Sequence, residues 1–247
     1  GVEGAQRIFD AHVVVAGIGG VGSWAVEALA RSGVRRLTLV DLDHVSESNI
    51  NRQIHANAAT LGQAKAEAMR ERIASYHPDC EVQIVDDFVT PGNWPSIASA
   101  AAALNCEGPW AVIDACDQVK AKVAMAQWAL INPVGFITVG AAGGKRLAHK
   151  VDIDDLSKIT HDPLLAQLRY RLRKQYGAAR GDKRIGIQGV FSREAVAPPD
   201  ASCAIEGDGS LNCHGYGSVV SVTATFGMCA VSEILNFLAS GLQKAKK

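Results

Sequence analysis

A glycine-rich loop between an apolar strand and a helix restricts the fold of this chain more than any other feature. Residues 12–17, HVVVAG, form a β-branched run that ends in glycine, and apolar residues in 21–32 have helical spacing. Gly17, Gly19 and Gly22 satisfy G-x-G-x-x-G in this strand, loop and helix context. The three glycines allow a tight turn, close approach of a phosphate, and close packing of helix on strand. The loop therefore predicts a nucleotide phosphate site at a helix N-terminus.

An acidic residue follows at the end of the next strand. The run RLTLVD ends in Asp41, which comes 19 residues after Gly22. A carboxylate in that place accepts hydrogen bonds from ribose hydroxyls. NAD and ATP fit this much of the pattern equally well, and a purely structural glycine turn with a solvent-facing Asp41 is the alternative.

The fold class follows from the alternation of strands and helices. Strands are predicted near 12–17, 36–41, 81–85, 110–115 and 136–140, with helices near 21–32, 63–76 and 118–131. This order predicts an α/β, Rossmann-like, doubly wound and mainly parallel sheet. We expect residues 1–140 to form the nucleotide-binding half and 141–247 a C-terminal extension of the same integrated domain.

The second half has a different character. Residues 140–144, GAAGG, are expected to form a crossover or hinge. A basic helix is predicted over 162–176, and a strand over 188–192 is followed by a loop or short hairpin at 195–217. The last element is a predicted buried helix, 219–238.

Composition is that of a soluble globular protein, with 48% hydrophobic and 20% charged residues among 247. Residues 1–140 contain ten Lys/Arg and fifteen Asp/Glu, whereas residues 141–247 contain fifteen and ten. This asymmetry indicates an anionic partner for the second half. Six scattered cysteines without a Cys-x-x-Cys pair favour a reducing cytoplasm. The charge-free run 209–232 is too polar for stable membrane insertion, and peripheral membrane contact is left open.

A polar segment after the ribose-binding acid separates ATP from NAD. Residues 43–65 contain Asn49, Arg52 and Lys65. Because a triphosphate has more charge than a dinucleotide pyrophosphate, an amide, a guanidinium and an ammonium together favour a triphosphate site. Each of these side chains, taken alone, could instead be an ordinary solvated residue on the surface.

These residues lie in segments that resemble the ThiF/MoeB family of adenylating enzymes. The matching pieces are GIGGVG at 17–22, DLDHVSESNINRQ at 41–53, GQAK at 62–65 and DACD at 114–117. The resemblance implies that Asp41 binds ribose, that the amide, guanidinium and ammonium bind phosphates, and that Asp117 ligates Mg²⁺. A helix N-cap before Gln118 is the alternative role of Asp117. The implied catalytic residues are Arg52, Lys65 and Asp117, and the implied ATP-binding residues are Gly17, Gly19, Gly20, Gly22, Asp41, Asp43, Asn49, Arg52, Gln53, Lys65 and Asp117.

Further pieces are similar to one bacterial branch of that family, whose members cyclise threonylcarbamoyladenosine in tRNA. They are DDFVTPGN at 86–93, TVGAAGGK at 138–145, HDPLLAQLRYRLRK at 161–174, VFSREAV at 190–196 and VTATFGM at 222–228. The similarity implies ATP-dependent dehydration of N6-threonylcarbamoyladenosine in tRNA through carboxylate adenylation, in a homodimer, with sulfur-transfer proteins of the cysteine desulfurase system as further partners. Relatives that activate sulfur carriers hold zinc with two Cys-x-x-Cys pairs; this chain has neither pair, so no zinc is expected.

A cluster of cations in the second half supports an RNA substrate. Seven cations fall within sixteen residues, opposed by Asp182, and Tyr170 and Tyr176 are placed to stack on bases. A solvated basic helix is the alternative. The predicted tRNA-binding residues are Arg169, Arg171, Arg173, Lys174, Arg180, Lys183 and Arg184.

Other functions remain open on sequence alone. The first alternative is adenylation of the C-terminus of a ubiquitin-like or sulfur-carrier protein, the second is an NAD(P)-dependent oxidoreductase, and the third is a non-enzymatic RNA-binding module. A catalytic cysteine at Cys116, Cys203 or Cys213 is a further alternative, because the thiolate is a nucleophile.

Overall fold

A sheet of seven strands runs through the computed structural model, which describes residues 1–104, 108–197 and 217–241. The strand order is β3-β2-β1-β4-β5-β7-β6, and every neighbouring pair is parallel except β6 with β7. The predicted α/β class and mainly parallel sheet are thus confirmed, and the last two strands come from the second half of the chain. The strands are β1 His12–Ala16, β2 Arg36–Val40, β3 Glu81–Val85, β4 Trp110–Asp114, β5 Gly135–Val139, β6 Val151–Asp155 and β7 Gln188–Ser192.

Helices cover both faces of the sheet. They are α1 Val2–Phe9, α2 Gly22–Arg31, α3 Lys65–Ala74, α4 Trp94–Ala103, α5 Val119–Ile131, α6 Pro163–Gln175 and α7 Val220–Ser240. One hydrophobic core lies under α2, α3 and α7, and a second lies under α4, α5 and α6. In β1, Val13 and Val15 belong to the first core while Val14 and Ala16 belong to the second. Burial on both faces explains why this strand is a continuous apolar run instead of an alternating one.

The order of the strands places a crevice at the carboxyl end of β1. The chain proceeds from β1 outward to β2 and β3, then returns to place β4 on the other side of β1. Ligands of open α/β sheets bind at such a reversal, outside the carboxyl ends of the strands. The segments that follow β1, β2, β4 and β5 all meet there.

Three elements were not predicted from the sequence. The residues of α1 are not buried in a core, and the alanine-rich sequence of α4 lacks the usual amphipathic signal. The strand β6, VDIDD, carries three acids. Asp152 and Asp154 are tolerated because the strand forms an edge of the sheet, and the buried Asp155 is tolerated because it accepts backbone N–H bonds from Ile185 and Gly186. Most of the predicted loop or hairpin at 195–217 lies outside the described residues, since 198–216 are not among them.

The last helix packs against both the sheet and α2. One side of α7 contributes Val222, Phe226, Ala230, Ile234 and Leu238 to the first core. By length and composition Val220–Ser240 is apolar enough to cross a membrane, with a mean hydropathy of 1.5, and 44% of that window is buried in the protein. The core helix of a globular protein meets the same criterion.

Glu27 joins α2 to the C-terminal part of α3. Its side chain is 4% exposed and accepts hydrogen bonds from Arg31 Nε, Arg72 Nε and the Tyr76 hydroxyl, at 2.8, 2.9 and 3.0 Å. Burial alone would raise the pKa of Glu27, but the bonds from Arg72 and Arg31 outweigh it and lower the pKa below the usual 4.5.

We expect Glu27→Gln to reduce the free energy of unfolding by about 2 kcal/mol at neutral pH, because charge-assisted hydrogen bonds are lost. The folded pKa is the lower one, so this contribution is complete above the unfolded value near 4.5 and disappears as the pH falls through the folded pKa. Urea unfolding at several pH values measures it, with Glu71→Gln on the exposed face of α3 as control. An equal loss at all pH values would contradict the assignment.

Candidate nucleotide-binding site

A cavity of about 470 Å³ opens where the carboxyl ends of β1, β2, β4 and β5 meet. Its walls combine the glycine loop, the polar segment after β2, residues 115–118 after β4 and residues 140–143 after β5. The structure thus brings ten of the predicted nucleotide-binding residues to one cavity. They are Gly17, Gly19, Gly20, Asp41, Asp43, Asn49, Arg52, Gln53, Lys65 and Asp117.

The glycine loop is built as its pattern requires, with one difference in role. Gly17 has a φ of +88°, and a Cβ there would lie 2.9 Å from the Ala115 carbonyl oxygen. A Cβ on Gly22 would lie 1.8 Å from the Gly17 carbonyl oxygen. Gly22 is therefore needed for the turn itself and does not line the cavity, whereas Gly19 and Gly20 do.

Asp41 is held by the loop that it faces. Its carboxylate is buried and accepts backbone N–H bonds from Ile18 at 2.5 Å and Asp43 at 2.8 Å. Burial raises the pKa of Asp41, and these two bonds act in the opposite direction. A carboxylate has about four lone-pair positions, so both oxygens can still accept ribose hydroxyls.

Lys65 is the first residue of α3 and points its ammonium at the cavity. Its Nζ donates to Asp43 Oδ2 at 2.7 Å; the lysine side chain is 8% exposed, and that of Asp43 is 52% exposed. Its backbone N–H also donates to the Asp43 carbonyl at 2.9 Å, so the start of α3 is fixed against the end of β2. A largely desolvated ammonium beside a half-exposed carboxylate is suited to an added anion.

The remaining phosphate candidates lie on the turn that begins with a 3₁₀ helix, Glu47–Asn49. The Asn49 side-chain oxygen accepts the Ser46 N–H at 3.0 Å, which orients its amide nitrogen. Arg52 donates through one terminal nitrogen to the Ser48 carbonyl at 2.6 Å, and its own carbonyl accepts the Trp24 indole N–H. Gln53 is 4% exposed, and its Oε1 has no hydrogen-bond partner within the described ranges. Buried polar atoms are usually hydrogen-bonded, so this amide oxygen is suited to accept a bond from a ligand hydroxyl.

Asp117 lies after β4 with its carboxylate exposed at the cavity. The N-cap of α5 is Gln118, so the alternative role of Asp117 as the N-cap residue is wrong. Partial burial raises the pKa of Asp117, Lys122 and Lys65 lower it, and Asp43 raises it. Among the residues described, no three His, Cys, Asp or Glu side chains form a metal-binding group. Mg²⁺ prefers one or two carboxylates plus phosphate oxygens, and Asp117 with a bound triphosphate fits that ligand set.

A buried ion pair beneath Asp117 was missed by sequence reasoning. Lys122 and Asp114 are both fully buried, and Lys122 Nζ donates to Asp114 Oδ1 at 3.1 Å and to the Val139 carbonyl at 2.8 Å. The Thr138 hydroxyl donates to the other Asp114 oxygen at 2.6 Å. These contacts join the ends of β4 and β5, from which two walls of the cavity depart. The DACD piece contained Asp114, but Lys122 reads in sequence as an exposed helical lysine.

Cys116 lines the cavity but is not set up as a nucleophile. Its Sγ donates to Asp114 Oδ1 at 2.9 Å, and burial together with the nearby Asp114 carboxylate raises the pKa of the thiol well above its ordinary value. The thiolate is therefore disfavoured. Cys203 and Cys213 lie outside the described residues.

Cys116→Ser is accordingly expected to keep turnover within about threefold of wild type, because serine preserves the hydrogen bond to Asp114. Steady-state assays of the two proteins, with and without prior alkylation, measure this. A loss of turnover beyond a hundredfold in Cys116→Ser would support the alternative that Cys116 is catalytic.

The predicted tRNA-binding cations fall into two groups. Arg169 donates to the Leu156 and Ile159 carbonyls, Arg173 donates to the Ala179 carbonyl, and Arg184 lies 3.7 Å from Asp155. These three stabilise the fold around α6. The other four have no carboxylate within 4.0 Å in the described part of the chain: Arg171, Lys174, Arg180 and Lys183.

The position of α6 relates this basic surface to the cavity. Leu164, in the first turn, lines the cavity, and the basic residues lie in the last turns of α6 and in the loop after it. The Lys174 ammonium lies over the Tyr170 ring, 5.6 Å from its centroid, and Tyr170 is 61% exposed. A helix therefore leads from the cavity wall to an exposed surface of cations and an aromatic ring.

Known proteins resemble this chain in sequence and overall fold over nearly its whole length. The model of the ThiF family matches residues 1–246. The tRNA threonylcarbamoyladenosine dehydratase of Escherichia coli is 43% identical over 244 residues, which cover 95% of this chain and 88% of that protein. The structure of the E. coli enzyme, TcdA, in complex with ATP has a TM-score of 0.84 at 41% identity, with 96% and 89% of the two chains covered; its complex with AMP has a TM-score of 0.83 at 42%. This chain belongs to the ThiF family.

Proposed function

We propose that this protein is an adenylating enzyme that uses ATP to cyclise N6-threonylcarbamoyladenosine in tRNA, a net dehydration. The observation that carries the proposal is the convergence of Asp41, Arg52, Lys65 and Asp117 on one cavity. Relatives with the same fold over nearly the whole chain are dehydratases of this modified nucleoside, and one of them was solved with ATP and with AMP. A nucleotide that appears as both ATP and AMP fits adenylation.

ATP fits the cavity with its ribose at Asp41 and its phosphates along the glycine loop. The apolar part of the wall formed by Val40, Phe88 and Val89 suits an adenine base. Lys65 exchanges its bond to the half-exposed Asp43 for a phosphate oxygen. The free nitrogens of Arg52 supply a second cation, and the amides of Asn49 and Gln53 complete the set of polar partners.

The reaction needs charge stabilisation and alignment. The carboxylate of the threonylcarbamoyl group attacks the α-phosphorus, and the bond from that phosphorus to pyrophosphate breaks. A nucleophile within the same modification then attacks the acyl carbon and releases AMP, so the oxygen lost from the carboxylate leaves with AMP. Lys65 and Arg52 stabilise negative charge at phosphorus, which is the main contribution of a protein to such a transfer. No protein nucleophile is needed, in accord with the raised pKa of Cys116.

We propose Mg²⁺ as the metal cofactor and Asp117 as its protein ligand. When bound, Mg²⁺ neutralises the charge of the departing pyrophosphate. The proposal depends on the exposed carboxylate of Asp117, which lines the cavity after the carboxyl end of β4. Lys122 does not compete for this carboxylate, because its ammonium is bound to Asp114 and Val139.

Transfer RNA is proposed to bind along α6. The four cations without carboxylate partners and the exposed Tyr170 and Tyr176 supply phosphate and stacking contacts. Adenylation of a carrier-protein C-terminus, the first alternative, does not account for an exposed basic and aromatic surface on the same helix whose first turn lines the cavity. An NAD(P)-dependent oxidoreductase does not account for Lys65 and Arg52.

The proposal is tested by product stoichiometry. With tRNA that carries threonylcarbamoyladenosine, we expect one AMP and one pyrophosphate per cyclised nucleoside, and neither product with tRNA that lacks the modification. Pyrophosphate release that requires a small carrier protein and ignores tRNA would support the first alternative. Tight binding of NADH without affinity for ATP would support the second.

Three further parts of the proposal rest on the family resemblance. We propose a homodimer, a cytoplasmic location where tRNA is available, and contact with sulfur-transfer proteins of the cysteine desulfurase system. Sedimentation at micromolar concentration tests the first. Copurification with a desulfurase after cell fractionation tests the other two.

A further inference from the structure

A single buried carboxylate, that of Asp162, joins α6 to the wall of the cavity. Its Oδ1 accepts the Leu165 N–H at 2.9 Å, which makes Asp162 the N-cap of α6. Its Oδ2 accepts the Ala141 N–H, also at 2.9 Å. Asp162 is 4% exposed, so both bonds lie in a largely desolvated environment.

The two partners belong to the two parts of the proposed substrate site. Ala141 is in the segment 140–143, which forms the cavity wall after β5. Leu165 is in the first turn of α6, and Lys174 lies nine residues further along the same helix. At 1.5 Å per residue this separation is about 14 Å along the helix axis. The proposed tRNA surface therefore lies at the C-terminal end of α6, and the N-terminal end of the same helix is hydrogen-bonded to the cavity wall.

The contact between Asp162 and the cavity wall is closely packed. A Cβ on Gly140 would lie 2.0 Å from Asp162 Oδ2, so glycine is needed for the carboxylate to reach the wall. Lys145 is 1% exposed and donates to the carbonyls of His161 at 3.0 Å and Glu194 at 2.8 Å. It thereby fixes His161, which precedes Asp162 and has a φ of +57°. A displacement of α6 must consequently either break these bonds or displace the cavity wall.

We infer that Asp162 is a positioning residue that holds the tRNA-binding helix and the cavity wall in one geometry. Resting on the proposed function, this gives Asp162 the task of bringing the substrate carboxylate into line with the α-phosphorus once tRNA is bound on α6. Asp162 acts through Ala141 and does not touch the reacting atoms.

The experiment distinguishes the bond from Asp162 to Ala141 from the role of Asp162 as the N-cap of α6. In Asp162→Ser the hydroxyl still caps α6, since serine is a good N-cap, but it is too short to reach Ala141 as well. We expect kcat for cyclisation to fall roughly ten- to a hundredfold, as a misplacement of about 1 Å can cost. The Kd values for ATP and tRNA are expected to stay within about twofold, because the residues proposed to contact the ATP phosphates and the tRNA are themselves unchanged.

A second variant disrupts the bond between Asp162 and Ala141 by a change in the cavity wall. Gly140→Ala is expected to displace the Asp162 carboxylate and to lower kcat to a similar extent. Because both changes break one connection, the double variant should lose no more than the worse single variant. Additive losses would show two independent effects and would overturn the inference.

Asp155 supplies a matched control. It is 1% exposed and accepts the Ile185 and Gly186 N–H groups at 2.9 and 2.7 Å, but it does not line the cavity. Asp155→Ser should lower the thermal midpoint and leave kcat unchanged at a temperature where it is folded. The inference is overturned if Asp162→Ser keeps kcat, or if its kcat and tRNA affinity fall together with stability as in a structural variant. Absence of cyclisation by the wild-type enzyme would instead reject the proposed function, and this inference with it.

Discussion

Lys65→Ala is expected to reduce cyclisation by roughly 10³-fold while tRNA binding remains. The ammonium is nearly buried at the start of α3 and lines the cavity, where we propose that it binds a phosphate. Removal of a group that stabilises charge in the transition state costs about 10²–10³ in turnover. Single-turnover cyclisation with saturating ATP, together with filter binding of tRNA, measures both quantities. Arg52→Ala should behave similarly, because its structural bond to Trp24 uses the backbone carbonyl and is retained.

The control for this prediction lies on the same helix. Arg70→Ala removes an equal charge from an exposed position that is paired with Glu67, and it should leave turnover unchanged because surface pairs contribute little. The fold of Lys65→Ala should persist, since the half-exposed Asp43 that loses its partner is accessible to water. Near-normal turnover in Lys65→Ala would show that this lysine does not act in catalysis.

Reversal of charge at Lys174 and Arg180 is expected to weaken tRNA binding roughly ten- to a hundredfold near 0.1 M salt and to leave ATP binding intact. Each lost phosphate contact should reduce the slope of log K against log salt by about one. Both side chains are exposed and, in the described ranges, neither has a carboxylate within 4.0 Å. Filter binding over a series of salt concentrations measures the affinity and the slope.

Arg70→Glu is the control for charge reversal, because it alters net charge at a distance from α6. Its salt dependence should match that of wild type. If Lys174→Glu with Arg180→Glu bound tRNA as wild type does at every salt concentration, α6 would not be the tRNA surface. The basic helix would then be a solvated face, as the charge pattern alone allows.

The nucleotide cavity was predictable because its parts are encoded locally. A glycine loop after β1, an acid after β2 and an acid after β4 each carry their own signal in sequence. Parallel strands bring their carboxyl ends to one edge of the sheet, so these local signals converge without long-range information. Gly22 shows the limit of the pattern: the motif requires it, but the structure uses it against the Gly17 carbonyl and away from the cavity.

The buried charges were not predictable. Lys122, Lys145 and Asp162 read as ordinary polar residues of helices and loops, and only their tertiary partners reveal that they are desolvated. A lysine is almost never fully buried without a partner, and sequence gives no sign of that partner. For this reason only the folded structure reveals the residues that join the walls of the site.

The number of cations in the basic cluster was predictable from the sequence, but which of their side chains point to solvent was not. Sequence counts seven cations, yet Arg169 and Arg173 are turned toward backbone carbonyls and Arg184 toward Asp155. An arginine has five N–H donors and serves to fix loops as well as to bind phosphate. Charge density alone does not distinguish these two uses.

The most direct test of the proposed chemistry is mass spectrometry of nucleosides from tRNA incubated with the protein, ATP and Mg²⁺. We predict that threonylcarbamoyladenosine is converted to a product lighter by one water molecule, only when ATP is present, with AMP formed in equal amount. Threonylcarbamoyladenosine of unchanged mass after incubation with folded, ATP-binding protein would contradict the account.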